Sequence, residues 1–145
     1  MILNYTVTEV AEEKRLDFLP SVIGEHFLSF ERYVYNSASM MSKDYLGGFW
    51  KFFDCLGNTE EKNPFFFMAI DYDKPLNVSN ELNQFSGTLS PKAFGVAITI
   101  LALSSFLFDF ESKGIPLEKL IDAFYELKGY AATLEEANLI YRFID

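Results

Sequence analysis

Tyr45-Leu46-Gly47-Gly48-Phe49-Trp50-Lys51-Phe52-Phe53 is the stretch whose reading decides the fold. Glycine accepts positive φ and commonly terminates helices, so Gly47 and Gly48 predict the end of a helical segment. The aromatics that follow favour an extended, half-buried strand. The run marks a switch from helix to sheet, and the elements on either side can be laid out from it.

Upstream, Phe27, Phe30, Val34, Ala38 and Met41 keep helical spacing, with Leu28 and Tyr35 widening the stripe, which predicts a helix over 27–43. An earlier helix is expected over 8–18, where Val10, Leu16 and Phe18 stand among acids and Pro20 supplies the stop. Downstream come four short extended segments, at 49–54, 65–70, 76–79 and 85–89. Gly57-Asn58 and Asn63-Pro64 supply turn chemistry between the first two, and a polar stretch over 80–84 joins the last two. Connections this short cannot hold crossover helices, so the expectation is a single antiparallel four-stranded meander. Ser90 and Pro91 then open a helix that runs to about 112, with Gly114 beyond it. Another begins at Pro116 and reaches Ala131. Thr133 with Glu136 matches a capping box for a last helix ending at Ile144. The order ααββββααα predicts an α+β domain over 1–145, one sheet packed with about five helices and no internal repeat or linker.

Composition bounds the function. At 145 residues, half of them hydrophobic and 17% aromatic, the chain can bury a core. Its net charge is −9, from 12 Lys and Arg against 21 Asp and Glu. Nucleic-acid binding is mostly phosphate neutralisation by cations, so direct binding is not expected. DNA mimicry would need carboxylates laid out like a duplex, one charge per ~1.7 Å. Here acids are interleaved with bases, as in Glu12-Glu13-Lys14-Arg15, which reads as a solvated surface. A single cysteine, Cys55, rules out an intrachain disulfide, and no signal peptide is visible. A cytoplasmic protein is expected. The apolar run over 93–108 is short of the ~20 residues that span a bilayer, and predicts a buried central helix.

Chemistry is sparse. His26 and Cys55 are the only residues of their kinds and carry no nucleophile signature or zinc-ligand set. Asp71 and Asp73 alternate before Lys74-Pro75, which reads as a turn because the rest of a calcium loop is missing. Glu118, Asp122 and Glu126 share one helical face near Lys119 and Lys128, a solvated face by expectation. Neither a phosphate loop nor a nucleophile elbow appears. No catalytic residue, metal or cofactor is predicted. Arg15, Tyr45 and Trp50 are of the types enriched in contact hot spots, and Glu31 is a further polar position of interest, although a lone tryptophan in an aromatic strand is usually core.

Ordered blocks along nearly the whole chain resemble the antirestriction proteins of the ArdB/KlcA type. They are Arg15-Leu16-Asp17-Phe18-Leu19-Pro20, Tyr33-Val34-Tyr35, the run over 45–53, and Phe67-Met68-Ala69. Then come Phe85-Ser86-Gly87-Thr88-Leu89-Ser90 leading to Ala93 and Gly95, Tyr130-Ala131-Ala132, Glu136-Ala137, and Ile144-Asp145. The resemblance implies a protein of a plasmid or other mobile element that relieves host type I restriction–modification without imitating DNA. Its partner would be the restriction complex or a factor controlling it. The resemblance also implies a sheet packed with helices. Arg15, Glu31, Trp50 and Asp145 match recurrent family positions and become candidates for partner contact or structural support. Three loops depart from the family pattern: Asn63-Pro64-Phe65-Phe66, Glu81-Leu82-Asn83-Gln84 and Leu134-Glu135. The competing classes are a small acidic enzyme using carboxylates or tyrosines, and a regulatory interaction module.

Overall fold

The computed structural model describes residues 5–145. The chain runs β1 (Tyr5–Glu9), a 3-10 turn (Glu12–Lys14), α1 (Arg15–Ile23), α2 (Phe27–Met41), β2 (Trp50–Gly57), β3 (Phe65–Ile70), β4 (Leu76–Asn80), β5 (Phe85–Leu89), α3 (Pro91–Glu111), α4 (Glu118–Ala131) and α5 (Ala137–Ile144).

Everything packs around α3. Ser90 starts it by accepting the Ala93 N–H at 3.1 Å, and Pro91 sits in the first turn, where its missing N–H is not needed. By length and composition α3 could cross a membrane, but 72% of its apolar window is buried inside the fold. It packs on β3, α2, α4 and α5, the central position its composition predicts.

The sheet is divided, which corrects the expected four-stranded meander. One antiparallel sheet has the order β1-β2-β3, and β4 pairs only with β5. The edges that would have joined β3 to β4 are both occupied. On β3, Thr99 of α3 accepts the Met68 N–H at 3.0 Å and donates to the Gly95 carbonyl at 2.7 Å. On β4, the Asn77 N–H donates to Asp44 at 2.8 Å, and Ser42 donates to the Asn77 carbonyl at 2.7 Å. A helix therefore seals one edge and the connection after α2 seals the other. Thr99→Val keeps the side-chain shape but leaves the Met68 N–H buried and unpaired. It is expected to cost about 1–3 kcal/mol, read as a lower urea midpoint with an unchanged slope.

Four local readings change. The segment 8–18 is not one helix: Tyr5–Glu9 is a strand and the helix begins at Arg15. The Thr6-Val7-Thr8 run is β-branched and pairs with β2 from Leu56 to Asp54. Pro20 lies inside α1 rather than stopping it. The carbonyl left without a donor belongs to Leu16, which is exposed, so water can serve it. The glycine pair does not end α2, which stops at Met41 where Ser42 turns extended and ties to β4. Gly47 and Gly48 take φ of 84° and 126° inside the connection and aim Phe49 and Trp50 into β2. The capping box is not formed either. Thr133 donates to the Tyr130 carbonyl, while Glu136 reaches Ser90, accepting its N–H at 2.9 Å and its hydroxyl at 2.5 Å. That carboxylate ties the start of α5 to the start of α3.

Candidate functional site

Three of the four candidate residues come together. Between α1, α2 and the start of β2 lies a groove of about 420 Å³ whose walls include Arg15, Glu31 and Trp50. The fourth, Asp145, ends α5, with its N–H bonded to the Tyr141 carbonyl at 3.1 Å, and does not line the groove.

Trp50 forms the floor. It is 5% exposed, so the core reading of the lone tryptophan holds. Its indole N–H donates to the Tyr45 hydroxyl at 3.1 Å, and its ring lies edge-on to Tyr45 at 5.7 Å. A buried indole without a partner would be costly, and Tyr45 supplies it. Tyr45 itself lies in the connection that Tyr72 holds, through a hydroxyl that donates to the Gly47 carbonyl and accepts the Leu46 N–H. The opening aromatic run thus shapes the groove.

Arg15 stands at the first turn of α1. Its guanidinium lies 4.2 Å from the centre of the Phe49 ring and 3.8 Å from the Glu9 carboxylate. Lys51 links the same Glu9, at 3.8 Å, to Asp71 at 3.6 Å. The Nε of Arg15 is buried without a hydrogen-bond partner among the described residues. Glu31 and Tyr35 face the groove from one side of α2. The Tyr35 hydroxyl is pushed up to about 12, by burial first and then by the Glu31 charge, with smaller contributions from Tyr45 and a hydrogen bond to Glu31. Tyr35 therefore remains a neutral phenol at physiological pH.

The rim is apolar and open: Leu16 is 91% exposed, Leu28 62% and Phe49 50%. These three were not singled out from sequence as contact residues. Leu28 had a signal, since it widened the α2 stripe beyond what the core could cover, and Phe49 had one as the first aromatic of the strand run. An aromatic floor, one stacked cation, one carboxylate and an apolar rim form a surface suited to recognition.

The nucleophile candidates stand apart from it. Cys55 lies in β2, and its thiol is pushed up to about 12 by burial and, secondarily, by the Asp54 charge. His26 precedes α2, its ring tilted against Phe110 at 4.7 Å and its Nε2 3.5 Å from Glu25. Among the described residues, no group of three or more His, Cys, Asp or Glu gathers in a way that could hold a metal ion.

Comparison with known proteins agrees with the residue blocks. The family profile described as Antirestriction protein matches residues 43–145. Two proteins named Antirestriction protein KlcA from Escherichia coli are similar. One is 33% identical over 141 residues, spanning 95% of this chain and 92% of the relative, and the other is 32% identical over 141 residues, spanning 97% and 94%. A solved structure of the KlcA and ArdB proteins superposes with a TM-score of 0.83 at 31% identity, covering 100% of this chain and 98% of that one. It is described as a novel fold with antirestriction activity against type I DNA restriction systems in vivo but not in vitro.

Proposed function

The chain belongs to the antirestriction protein family, and from that premise we propose that it relieves type I restriction inside the cell through protein contact at the α1–α2 groove. The single observation that carries the contact reading is the assembly of Arg15, Glu31 and Trp50, distant in sequence, around one open apolar rim. The whole segment 1–145 acts as one domain, since one apolar core runs from Phe18 to Phe143. It is a cytoplasmic product of a plasmid or other mobile element, without catalysis or a cofactor. Its partner is the type I restriction–modification complex or a host factor controlling it. Activity in vivo but not in vitro in the related proteins favours an indirect route, through a component absent from a purified restriction reaction.

DNA mimicry is not the mechanism. The carboxylates at the groove end are interleaved with cations in the chain Arg15–Glu9–Lys51–Asp71. On α4, Glu126 is also engaged, accepting the Asn63 N–H at 3.0 Å. Glu118→Gln with Asp122→Asn and Glu126→Gln should therefore leave antirestriction intact, and the new amide at 126 retains an acceptor for Asn63. Arg15→Ala removes the cation stacked on Phe49, and should weaken phage protection about tenfold or more, the scale of a contact hot spot. Both variants are compared by plating unmodified phage on a type I host, after circular dichroism verifies folding. Loss of protection in the acid-neutralised protein alone would restore the mimicry reading.

A further inference from the structure

β1 is the outer strand of the three-stranded sheet, and among the described residues no strand pairs with its far edge. Its hydrogen-bond phase is fixed, because the Val10 N–H donates to the Phe52 carbonyl at 2.8 Å and the register continues through Glu9 opposite Phe53 and Val7 opposite Cys55. In an antiparallel ladder, alternate residues turn their N–H and C=O toward the partner. Thr8 and Thr6 therefore bond toward β2, while Tyr5, Val7 and Glu9 present theirs outward. Thr6, Val7, Thr8 and Glu9 are all exposed.

A groove of about 590 Å³ runs beside this edge, between β1 and α1, with Thr8, Lys14, Asp17 and Asp54 in its walls. Asp54 stands directly opposite Thr8 on the same face. Among the described residues, neither Asp17 nor Asp54 has a cationic partner within 4.0 Å. An unpaired strand edge is a template for strand addition, in which backbone bonds give affinity and alternate side chains give specificity.

We infer that the free edge of β1 receives an extended segment of a partner protein, added as a fourth strand with Lys or Arg at the alternate positions that face Asp17 and Asp54. This rests on the partner-contact reading above and names the chemistry of the partner. A second copy of the chain is disfavoured as occupant. Pairing β1 with β1 about a two-fold axis normal to the sheet would put the Asp17 and Asp54 carboxylates of both copies on one face, with a net charge of −9 on each chain. A basic segment instead meets two carboxylates that lack cations.

The test uses the purified 145-residue chain, so its outcome is independent of phage protection. The probes are a fluorescein-labelled heptapeptide of alternating Val and Lys and its Val/Glu twin, read by anisotropy, with amide exchange followed by NMR. The Val/Lys probe should bind about tenfold tighter or more than its twin and slow exchange at the Val7 and Glu9 amides. Val7→Pro removes an outward N–H that β2 does not use, as edge strands tolerate, and should abolish that difference. Should Val7→Pro not fold, Asp17→Lys with Asp54→Lys decides, because it leaves the strand pairing untouched and should reverse the preference. Equal binding of the two probes, or a preference that survives the folded variants, overturns the inference. So does a concentration-dependent dimer in sedimentation that Val7→Pro dissolves, which would give the edge to a second copy.

Discussion

Gly95→Ala should strongly destabilise this protein by adding one methyl group. A Cβ at position 95 would stand 2.2 Å from the Met68 carbonyl oxygen and 2.6 Å from the Ala69 Cα. Both obstacles are backbone, so no side-chain rotation relieves them. Normally alanine improves a helix interior by roughly 0.5–1 kcal/mol over glycine, so propensity alone predicts stabilisation. Packing reverses the sign. α3 must lift from β3, and the lift also stretches the Thr99 to Met68 bond, now 3.0 Å. Overpacking of this kind costs about 3 kcal/mol or more, a fall in melting temperature of roughly 10 °C. Thermal melting monitored by circular dichroism checks it, and an unchanged or raised midpoint would show that α3 and β3 are not in this contact.

Leu103→Asp should abolish soluble folding outright. Leu103 is fully buried on α3, and an unpaired charge there costs several kcal/mol, a large share of a typical domain's stability. Leu101, on the same helix, is only partly buried, so Leu101→Asp should be the milder of the two. Soluble yield and melting of both variants test the ranking. A Leu103→Asp protein that melts cooperatively would contradict the placement of α3 at the centre.

The contrast between these positions shows what the sequence could reveal. α3 was legible because its apolarity is unbroken and Ser90-Pro91 is a local start signal. β2 and β3 were legible from their aromatic runs. β1 was not, since Val10, Leu16 and Phe18 suggest a helical stripe and the Thr6-Val7-Thr8 signal is three residues long. The division of the sheet was hidden for a different reason. It depends on Thr99 and Asp44 occupying strand edges from far along the chain, and no local pattern encodes that. Glu136 makes the same point: its spacing from Thr133 fits a cap, but its tertiary partner Ser90 prevails. At the groove, Arg15, Glu31 and Trp50 could be picked by type and family position, while their meeting place required the fold. Leu16 reads in the sequence as part of an apolar helical stripe, and nothing there signals its exposure, because exposure of a leucine at the start of a helix is a matter of what fails to pack on it.

The proposed activity is relief of type I restriction in the cell by contact at the groove. The most direct measurement is the plating efficiency of unmodified phage on a host carrying a type I system, with the protein expressed from a controlled promoter as wild type or Arg15→Ala. A clear rise in plating is expected with wild type, much reduced with a folded Arg15→Ala, and no inhibition when the purified protein is added to a purified type I enzyme. Unchanged plating with folded, expressed wild type against several type I systems would mean that the protein does not relieve type I restriction.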